Sequence, residues 1–189
     1  MTQNKVVIGL IGGSGVGKGV FSAAAADLGF TIIDGDRIGH EVLQKEAYDE
    51  LVNEFGSGIV ENGSISRKKL GAIVFDNAEA LQKLNSIVHR HILIKMRALM
   101  TDRCVIDAAV LHKTELINEC THVIAVVADK KTRLERIIKR DALTKEAALN
   151  RINSQNSNEE YAKLADIVLE NNGTDVEFVN KVKECLQRL

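Results

Sequence analysis

The sequence of 189 residues predicts an α/β fold, in which helices cover both faces of a five-stranded parallel sheet. Two observations carry this prediction. Short segments that are continuously apolar and rich in β-branched residues recur along the chain, which is typical of strands buried on both faces. Longer segments with helical spacing alternate with them, and this alternation indicates parallel pairing. The predicted strands are 5–11, 30–34, 103–110, 122–128 and 166–171.

Helical periodicity fills most of the sequence between these strands, and several segments carry start signals. Asp129 and Thr144 each precede a helical pattern, and Thr174 with Glu177 has the spacing of a capping box. The predicted helices are 18–28, 36–54, 77–100, 129–142, 144–155 and 174–188.

Residues 36–100 separate the second strand from the third and are almost wholly helical or turn-like. We therefore expect a helical insertion over the functional site. Ligands of parallel sheets bind beyond the carboxyl ends of the strands, so the residues that follow each strand are the first candidates for function.

Composition narrows the function classes. The chain is 45% hydrophobic and 27% charged with a formal net charge of -1, which fits a soluble globular protein of one domain and gives no bulk reason to expect nucleic acid or membrane as a partner. The three cysteines, Cys104, Cys120 and Cys185, are far apart and form no CxxC pair. We expect plain buried or half-buried thiols in a reducing cytoplasm.

The segment "GLIGGSGVGKGV" contains the pattern of a phosphate-binding loop from Gly12 to Lys18. Its glycines let backbone N–H groups converge on an anion, while Lys18 reaches the terminal phosphates. The alternative interpretation is a glycine-rich turn between a strand and a helix. The strand, loop, lysine and helix occur in the order that a phosphate-binding loop requires, which favours the phosphate-binding loop. The next residue is Gly19, where the pattern has a Ser or Thr whose hydroxyl binds Mg²⁺. The predicted nucleotide-binding residues of this segment are Gly13, Ser14, Gly15, Val16, Gly17, Lys18, Gly19 and Val20.

Acidic residues follow two of the predicted strands. "DGDRIGHE" places Asp34, Asp36, Arg37 and His40 after the second strand, where a carboxylate would orient an attacking hydroxyl and help to hold Mg²⁺. Asp36 has a second interpretation as a helix cap, and His40 as a packing histidine. Asp107 ends the stretch "CVID" of the third predicted strand, either as a residue that reaches Mg²⁺ or as a strand-end turn aspartate.

Arginines recur at spacings of three and four in "DKKTRLERIIKRDA", which places Arg133, Arg136 and Arg140 on one helical face. A solvated charged face is one interpretation. Beside a phosphate-binding loop, a lid that closes arginines over a triphosphate is the other, because guanidinium groups stabilise charge on a transferred phosphoryl group.

Taken together, these stretches resemble the dephospho-CoA kinase family, whose P-loop enzymes phosphorylate the 3′-hydroxyl of dephospho-CoA. The resemblance runs nearly end to end. Besides the arginine helix it comprises "IGLIGGSGVGKG", "GFTIIDGDRIGHEVL", "GSISRKKLGAIVF", "LNSIVHRHI", "VIDAAVLHKTEL", "RINSQ" and "ADIVLENNG".

The resemblance implies a single P-loop kinase domain, with a core of 1–35 and 101–189, a substrate-binding insertion of about 36–100 and a lid of about 133–155. It implies ATP and dephospho-CoA as substrates and Mg²⁺ as cofactor. The sequence does not determine the oligomeric state, for which we expect a monomer, and we expect the protein in the cytoplasm. Asp36, Lys18 and Arg140 are the expected catalytic residues. The other expected site residues are Arg136, Asn172 and Gly173 for the nucleotide, beside Asn171; Asp36, His40, Arg67, His89 and Asp107 for the acceptor substrate; and Asp36 and Asp107 for the metal, directly or through water.

Three positions depart from the family pattern as the resemblance gives it. Ile11 stands where Thr is usual, Arg90 follows His89 where Pro is usual, and Gly19 replaces the metal-binding hydroxyl. Two alternatives to a dephospho-CoA kinase therefore stay open from the sequence. One is a kinase of another small metabolite, and the other is a non-catalytic protein that binds a nucleotide or CoA.

Overall fold

The computed structural model describes residues 5–108 and 111–189. Its strands, in chain order, are β1 (Val6–Ile11), β2 (Thr31–Asp34), β3 (Val60–Glu61), β4 (Ser64–Ile65), β5 (Arg103–Asp107), β6 (His122–Val127) and β7 (Ile167–Glu170). Five of them form a sheet in the order β2-β5-β1-β6-β7, and every pairing is parallel. The predicted α/β class and its five parallel strands are confirmed. Residues 109 and 110, which end the third predicted strand, lie outside the described residues.

Burial in the sheet follows from the order of the strands. All six residues of the central strand β1 are buried, whereas the edge strands β2 and β7 are only partly covered. Apolar side chains from both neighbours of β1 and from the helices complete this core. Its fully buried members include Ile8, Leu10, Phe21, Val105, Ile124 and Val182.

The helices match the predicted periods with two differences. They are α1 (Lys18–Asp27), α2 (Gly35–Gln44), α3 (Tyr48–Phe55), α4 (Arg67–Val74), α5 (Ala78–Leu99), α6 (Lys130–Asp141), α7 (Lys145–Asn153), α8 (Asn158–Lys163) and α9 (Asp175–Gln187). The segment predicted as one helix over 36–54 is broken into α2 and α3, because Ala47 turns inward, is fully buried and bonds the Val42 carbonyl. The short helices α4 and α8 were not predicted as separate elements.

Two of the predicted helix starts have the expected caps. Thr144 accepts a hydrogen bond from the Ala147 N–H, and Thr174 with Glu177 forms a capping box. Asp129 precedes α6 without a side-chain cap, and its own N–H donates to Asn172 Oδ1 at 2.8 Å. A capping box at Ser157 marks the start of α8, a signal that the sequence also contained.

The small hairpin of β3 and β4 was missed by the sequence analysis. Asn62 and Gly63 turn it, with φ angles of 51° and 77°. Positive φ at both central residues belongs to the tight turn that favours Asn-Gly, so this dipeptide was an available signal. The strands of two residues each were too short for periodicity to reveal.

The chain divides into two compact units. The first runs to Asp34 and resumes at Met100, and it contains the five-stranded sheet. The second, Gly35–Leu99, holds α2 to α5 and the hairpin. Within it, the Gln44 side chain accepts from the Ile65 N–H at 2.8 Å and donates to the Ile65 carbonyl at 3.0 Å, which ties α2 to the hairpin. Among the described helices, none has both the length and the apolar character needed to cross a bilayer.

The three cysteines are free thiols, as expected. Cys104 is buried on β5, and burial raises the pKa of Cys120 to about 12. Because the thiolate is the reactive form, a thiol with this pKa is only about 0.01% ionised at pH 8.

We expect Cys120 to resist alkylation at pH 8 in the native protein. Iodoacetamide labelling followed by peptide mass spectrometry measures this directly, with the urea-unfolded protein as the control in which all three cysteines label. Complete modification of Cys120 in the native protein at the rate of a free thiol would contradict the burial described above.

Candidate active site

The loop between β1 and α1 is shaped by glycines at positions where a side chain would not fit. Gly12, Gly15 and Gly17 have φ angles of 145°, 79° and 103°, which L-residues rarely adopt. A Cβ at Gly12 would also collide with the Val126 carbonyl oxygen, and one at Gly13 with the Arg133 guanidinium. The backbone therefore curves tightly into the start of α1, where the first N–H groups have no partner within the helix and suit an anion.

Side chains from α6, from the segment after α7 and from the segment after β7 hold this loop from behind. Asn171 Nδ2 donates to the Val16 carbonyl at 2.8 Å, and Arg133 Nε donates to the Ser14 carbonyl at 2.9 Å. Gln155 Oε1 accepts from the Ser14 N–H at 2.8 Å and from Arg133 Nη2 at 3.1 Å. These contacts satisfy the outward-facing polar groups and fix the loop backbone before any ligand arrives.

Lys18, the first residue of α1, lies beside an acidic residue at the edge of the sheet. Its Nζ is 3.6 Å from Asp107 Oδ1, and the Ser22 hydroxyl donates to Asp107 Oδ2 at 3.2 Å. Asp107 is the register partner of Leu10 on one side and of Asp34 on the other. Parallel pairing thus gathers Lys18, Ser22, Asp34 and Asp107 at the carboxyl ends of three adjacent strands.

Gly19 is exposed in the first turn of α1, and a Cβ built there would have no heavy atom within 4 Å. Packing therefore does not require glycine at this position. Compared with the Ser or Thr of the phosphate-loop pattern, glycine lacks a hydroxyl at this position.

The three arginines of α6 have three different environments. Arg133 is buried, and burial lowers the pKa of its guanidinium. This guanidinium bonds the phosphate-binding loop and does not lie on a solvent-exposed face. Arg136 donates to the Asn171 carbonyl at 2.9 Å and to the Gly173 carbonyl at 3.2 Å. Arg140 is largely exposed and forms a forked pair with Asp141 at 2.7 and 2.9 Å. The common spacing predicted one face, but the tertiary contacts separate its members.

The loop after β7 is organised around a buried amide. Asn171 is almost fully buried because it bonds the phosphate-binding loop, while Asn172 and Gly173 remain exposed beside it. Asn172 also accepts the hydrogen bond from Asp129 at the start of α6. The structure therefore brings the predicted residues Arg136, Asn172 and Gly173 to the same side of the first unit as the phosphate-binding loop.

The remaining predicted residues belong to the second unit. Asp36 is exposed in the first turn of α2, and His40 Nδ1 lies 3.1 Å from the Asp36 carbonyl oxygen. Arg67 is the first residue of α4, and His89 is exposed on α5.

Arg90, one of the departures from the family pattern, has a role inside this second unit. Its guanidinium pairs with Glu50, whose carboxylate also lies 3.1 Å from His91 Nε2. Hydrogen bonds from His91 and Arg90 lower the pKa of the Glu50 carboxyl. Arg90 thus links α5 to α3.

Oxygen donors lie beside Lys18, and oxygen is the ligand type that Mg²⁺ prefers. The described residues contain no group of three or more His, Cys, Asp or Glu side chains able to hold a metal by themselves. Asp107 and Ser22 nevertheless offer carboxylate and hydroxyl oxygens, and Mg²⁺ in such sites takes one or two protein ligands and keeps several waters.

Sequence reasoning assigned no role to Gln155 or Ser22. Gln155 was visible only as the last letter of "RINSQ", and nothing local shows that its amide reaches a loop 141 residues away. Ser22 stands four residues after Lys18, so helical spacing would have placed both on one face of α1.

Comparison with known proteins agrees with this geometry. The family model described as dephospho-CoA kinase matches residues 6–177. The dephospho-CoA kinase of Fusobacterium nucleatum is 38% identical, over 97% of this chain and 98% of its own length. That of Geobacillus kaustophilus is 40% identical, over 97% of this chain and 96% of its own length.

Solved structures are also similar to this chain over nearly its whole length. A protein of Thermus thermophilus superposes with a TM-score of 0.81 at 26% identity, covering 99% of both chains. The dephospho-CoA kinase of Campylobacter jejuni reaches a TM-score of 0.71 at 29% identity, covering 96% of this chain and 95% of its own. A shikimate kinase of Acinetobacter baumannii, at a TM-score of 0.57 and 14% identity, shares the fold.

The contacts of Arg133 predict that it stabilises the protein. Arg133→Ala would leave the Ser14 carbonyl and part of Gln155 without partners in a buried place, so we expect a loss of about 3 kcal/mol in the free energy of unfolding. Urea denaturation followed by circular dichroism measures it. Lys139→Ala, at an exposed position of the same helix, is the matched control and should change stability by less than about 0.5 kcal/mol. Equal effects of the two substitutions would show that the buried contacts contribute nothing.

Proposed function

This chain belongs to the dephospho-CoA kinase family, and from that premise we propose that it transfers the γ-phosphoryl group of ATP to the 3′-hydroxyl of dephospho-CoA to give coenzyme A. The structural observation that carries the proposal is the position of Lys18. It begins α1 at the end of the glycine loop and lies 3.6 Å from Asp107 at the sheet edge. A phosphate cradle and an acidic strand end, side by side, are the parts that phosphoryl transfer requires.

Binding of ATP is assigned to the first unit. Residues Gly13 to Val20 would surround the phosphates through loop N–H groups other than those of Ser14 and Val20, which bond Gln155 and the Gly17 carbonyl. The Lys18 ammonium would balance charge on the terminal phosphate oxygens. Asn172 and Gly173 would line the base pocket. Arg136 supports this assignment indirectly, because its bonds to two carbonyls of the 171–173 segment hold the backbone of that segment in place.

A divalent metal accompanies ATP in kinases, and we propose Mg²⁺ for this one. When bound, it neutralises charge on the β- and γ-phosphate oxygens. Asp107 and Asp36 are the residues that would hold it, directly or through water. The carboxylate of Asp107 is already oriented, since Lys18 and Ser22 contact its two oxygens.

Asp36 is the proposed base or positioning group for the acceptor hydroxyl. It follows the end of β2 by two residues, and its carboxylate is exposed. A carboxylate in hydrogen-bond reach of the 3′-hydroxyl would accept its proton as the phosphoryl group is transferred, leaving coenzyme A and ADP.

The acceptor itself is assigned to the second unit. Gly35–Leu99 would bind dephospho-CoA through His40, Arg67 and His89. The segment of about 133–155 would act as a lid, in which Arg140 exchanges Asp141 for phosphate oxygens. Hydrogen bonding by Arg140 lowers the pKa of Asp141 to about 2, so this partner stays ionised at neutral pH. We propose a monomeric, cytoplasmic enzyme.

The direct test is to incubate the purified protein with Mg-ATP and dephospho-CoA and to follow coenzyme A by mass spectrometry. We expect a product heavier than dephospho-CoA by one phosphoryl group, with matching release of ADP. Tight ATP binding without product at high protein concentration would favour the non-catalytic alternative. ATP turnover with another small metabolite alone would favour the other kinase.

Asp36→Asn should reduce turnover about 10²- to 10⁴-fold while changing the Kd for ATP little, because its proposed partner is the acceptor hydroxyl rather than the phosphate cradle. Steady-state kinetics and calorimetric ATP binding separate the two effects. Asp49→Asn is the matched control, since Asp49 is also an exposed carboxylate in the first turn of a helix of the second unit. Near-normal turnover of Asp36→Asn would show that Asp36 has no role in catalysis and is only a helix cap.

A further inference from the structure

We propose that Ser22 is a positioning residue that replaces, one helical turn further along α1, the hydroxyl that Gly19 lacks. Ser22 acts through Asp107, whose carboxylate it fixes for metal binding beside the nucleotide. The inference rests on the proposed function in one respect, that a divalent metal enters this site together with a nucleotide.

The contact that carries the inference joins residues 85 positions apart. Ser22 Oγ donates to Asp107 Oδ2 at 3.2 Å, and the pair is partly buried. A serine in the middle of a helix ordinarily points to solvent or bonds the carbonyl four residues earlier. Ser22 instead directs its hydroxyl at the acidic end of β5, where a neutral donor meets a charged acceptor.

Helix geometry explains why position 22 can take over from position 19. Residues three and four apart lie on one face of a helix, so Gly19 and Ser22 share the face that begins with Lys18. They are separated by about 4.5 Å along the helix axis. A hydroxyl at position 22 therefore lies further along α1 than one at position 19. It contacts the Asp107 carboxylate, which is a proposed metal ligand, instead of facing the phosphates.

The two oxygens of Asp107 have separate partners on the same helix. Oδ1 faces the Lys18 ammonium at 3.6 Å, and Oδ2 accepts from Ser22. A carboxylate held at both oxygens has a fixed plane, so it would meet a metal or metal-bound water in one orientation. Partners of this kind tune metal affinity although they do not bind the metal themselves.

Position 19 provides the means to test the replacement. A side chain there meets open space, and its backbone lies in an ordinary helical conformation, so Gly19→Ser restores the missing hydroxyl without strain. If the hydroxyls at positions 19 and 22 both support metal binding, removing one of them should weaken metal affinity much less when the other is present.

The experiment measures Mn²⁺ binding to the ADP complex by electron paramagnetic resonance, with Mn²⁺ as a visible substitute for Mg²⁺. We expect Ser22→Ala to weaken Mn²⁺ binding at least about tenfold. In the Gly19→Ser background, Ser22→Ala should weaken Mn²⁺ binding by less than about twofold. Ser86→Ala is the control, since it removes a helical serine hydroxyl that bonds the Lys83 carbonyl of its own helix, and it should leave Mn²⁺ binding unchanged. Magnesium titrations of coenzyme A formation should show the same pattern.

Three results would overturn the inference: unchanged Mn²⁺ affinity in folded Ser22→Ala, equal losses in both backgrounds, or no Mn²⁺ binding to the wild-type ADP complex. Thermal melting of each variant verifies folding. The outcome is independent of the acceptor substrate. A wild-type protein that forms no coenzyme A but needs Ser22 for Mn²⁺ would overturn the proposed function alone, whereas an active protein indifferent to Ser22 would overturn the inference alone.

Discussion

Parallel pairing of β1 with β5 is the constraint on which the candidate site depends. It sets Leu10, two residues before the glycine loop, in register with Asp107, and the next pairing sets Asp107 in register with Asp34. All three strands end at the same edge because they run in the same direction. The glycine loop with its Lys18 therefore meets Asp34 and Asp107, although these three parts of the site are far apart in sequence. An antiparallel neighbour in place of β5 would deliver its carboxylate to the opposite edge.

The loop is rigid because polar side chains satisfy its outer backbone groups. Val16 and the two polar groups of Ser14 are bonded by Asn171, Arg133 and Gln155, and each of these side chains comes from a different element or connection. A loop so rich in glycine has high conformational entropy when unfolded, and these bonds offset part of the cost of ordering it. The same three side chains connect the loop to α6 and to the segments that follow α7 and β7.

The sequence predicted the sheet well because its signals were local. Each strand is a continuous apolar segment, and a parallel sheet requires that pattern. The hairpin was not predicted because a strand of two residues is too short to show a period. The break at Ala47 was not predicted because inward packing of this alanine ends a helix that the periodicity would continue. The site was predicted in part. Lys18 and Asp107 follow from the motif and the strand end, but the burial of Arg133 and the reach of Gln155 and Ser22 depend on contacts across the fold. The roles of Asp36, Arg67 and His89 stay predictions.

The buried position of Arg133 has a consequence for how quickly an anionic ligand reaches the loop. A surface with a net charge of -1 offers nucleotides no general attraction. Arg133, however, places a cation directly behind the glycine loop, where the low-dielectric surroundings screen its field less than water would. Lys18 adds a second cation beside the loop, and Asp107 offsets part of its charge. Capture of a polyphosphate at this point would therefore depend less on ionic strength than capture by exposed surface cations does.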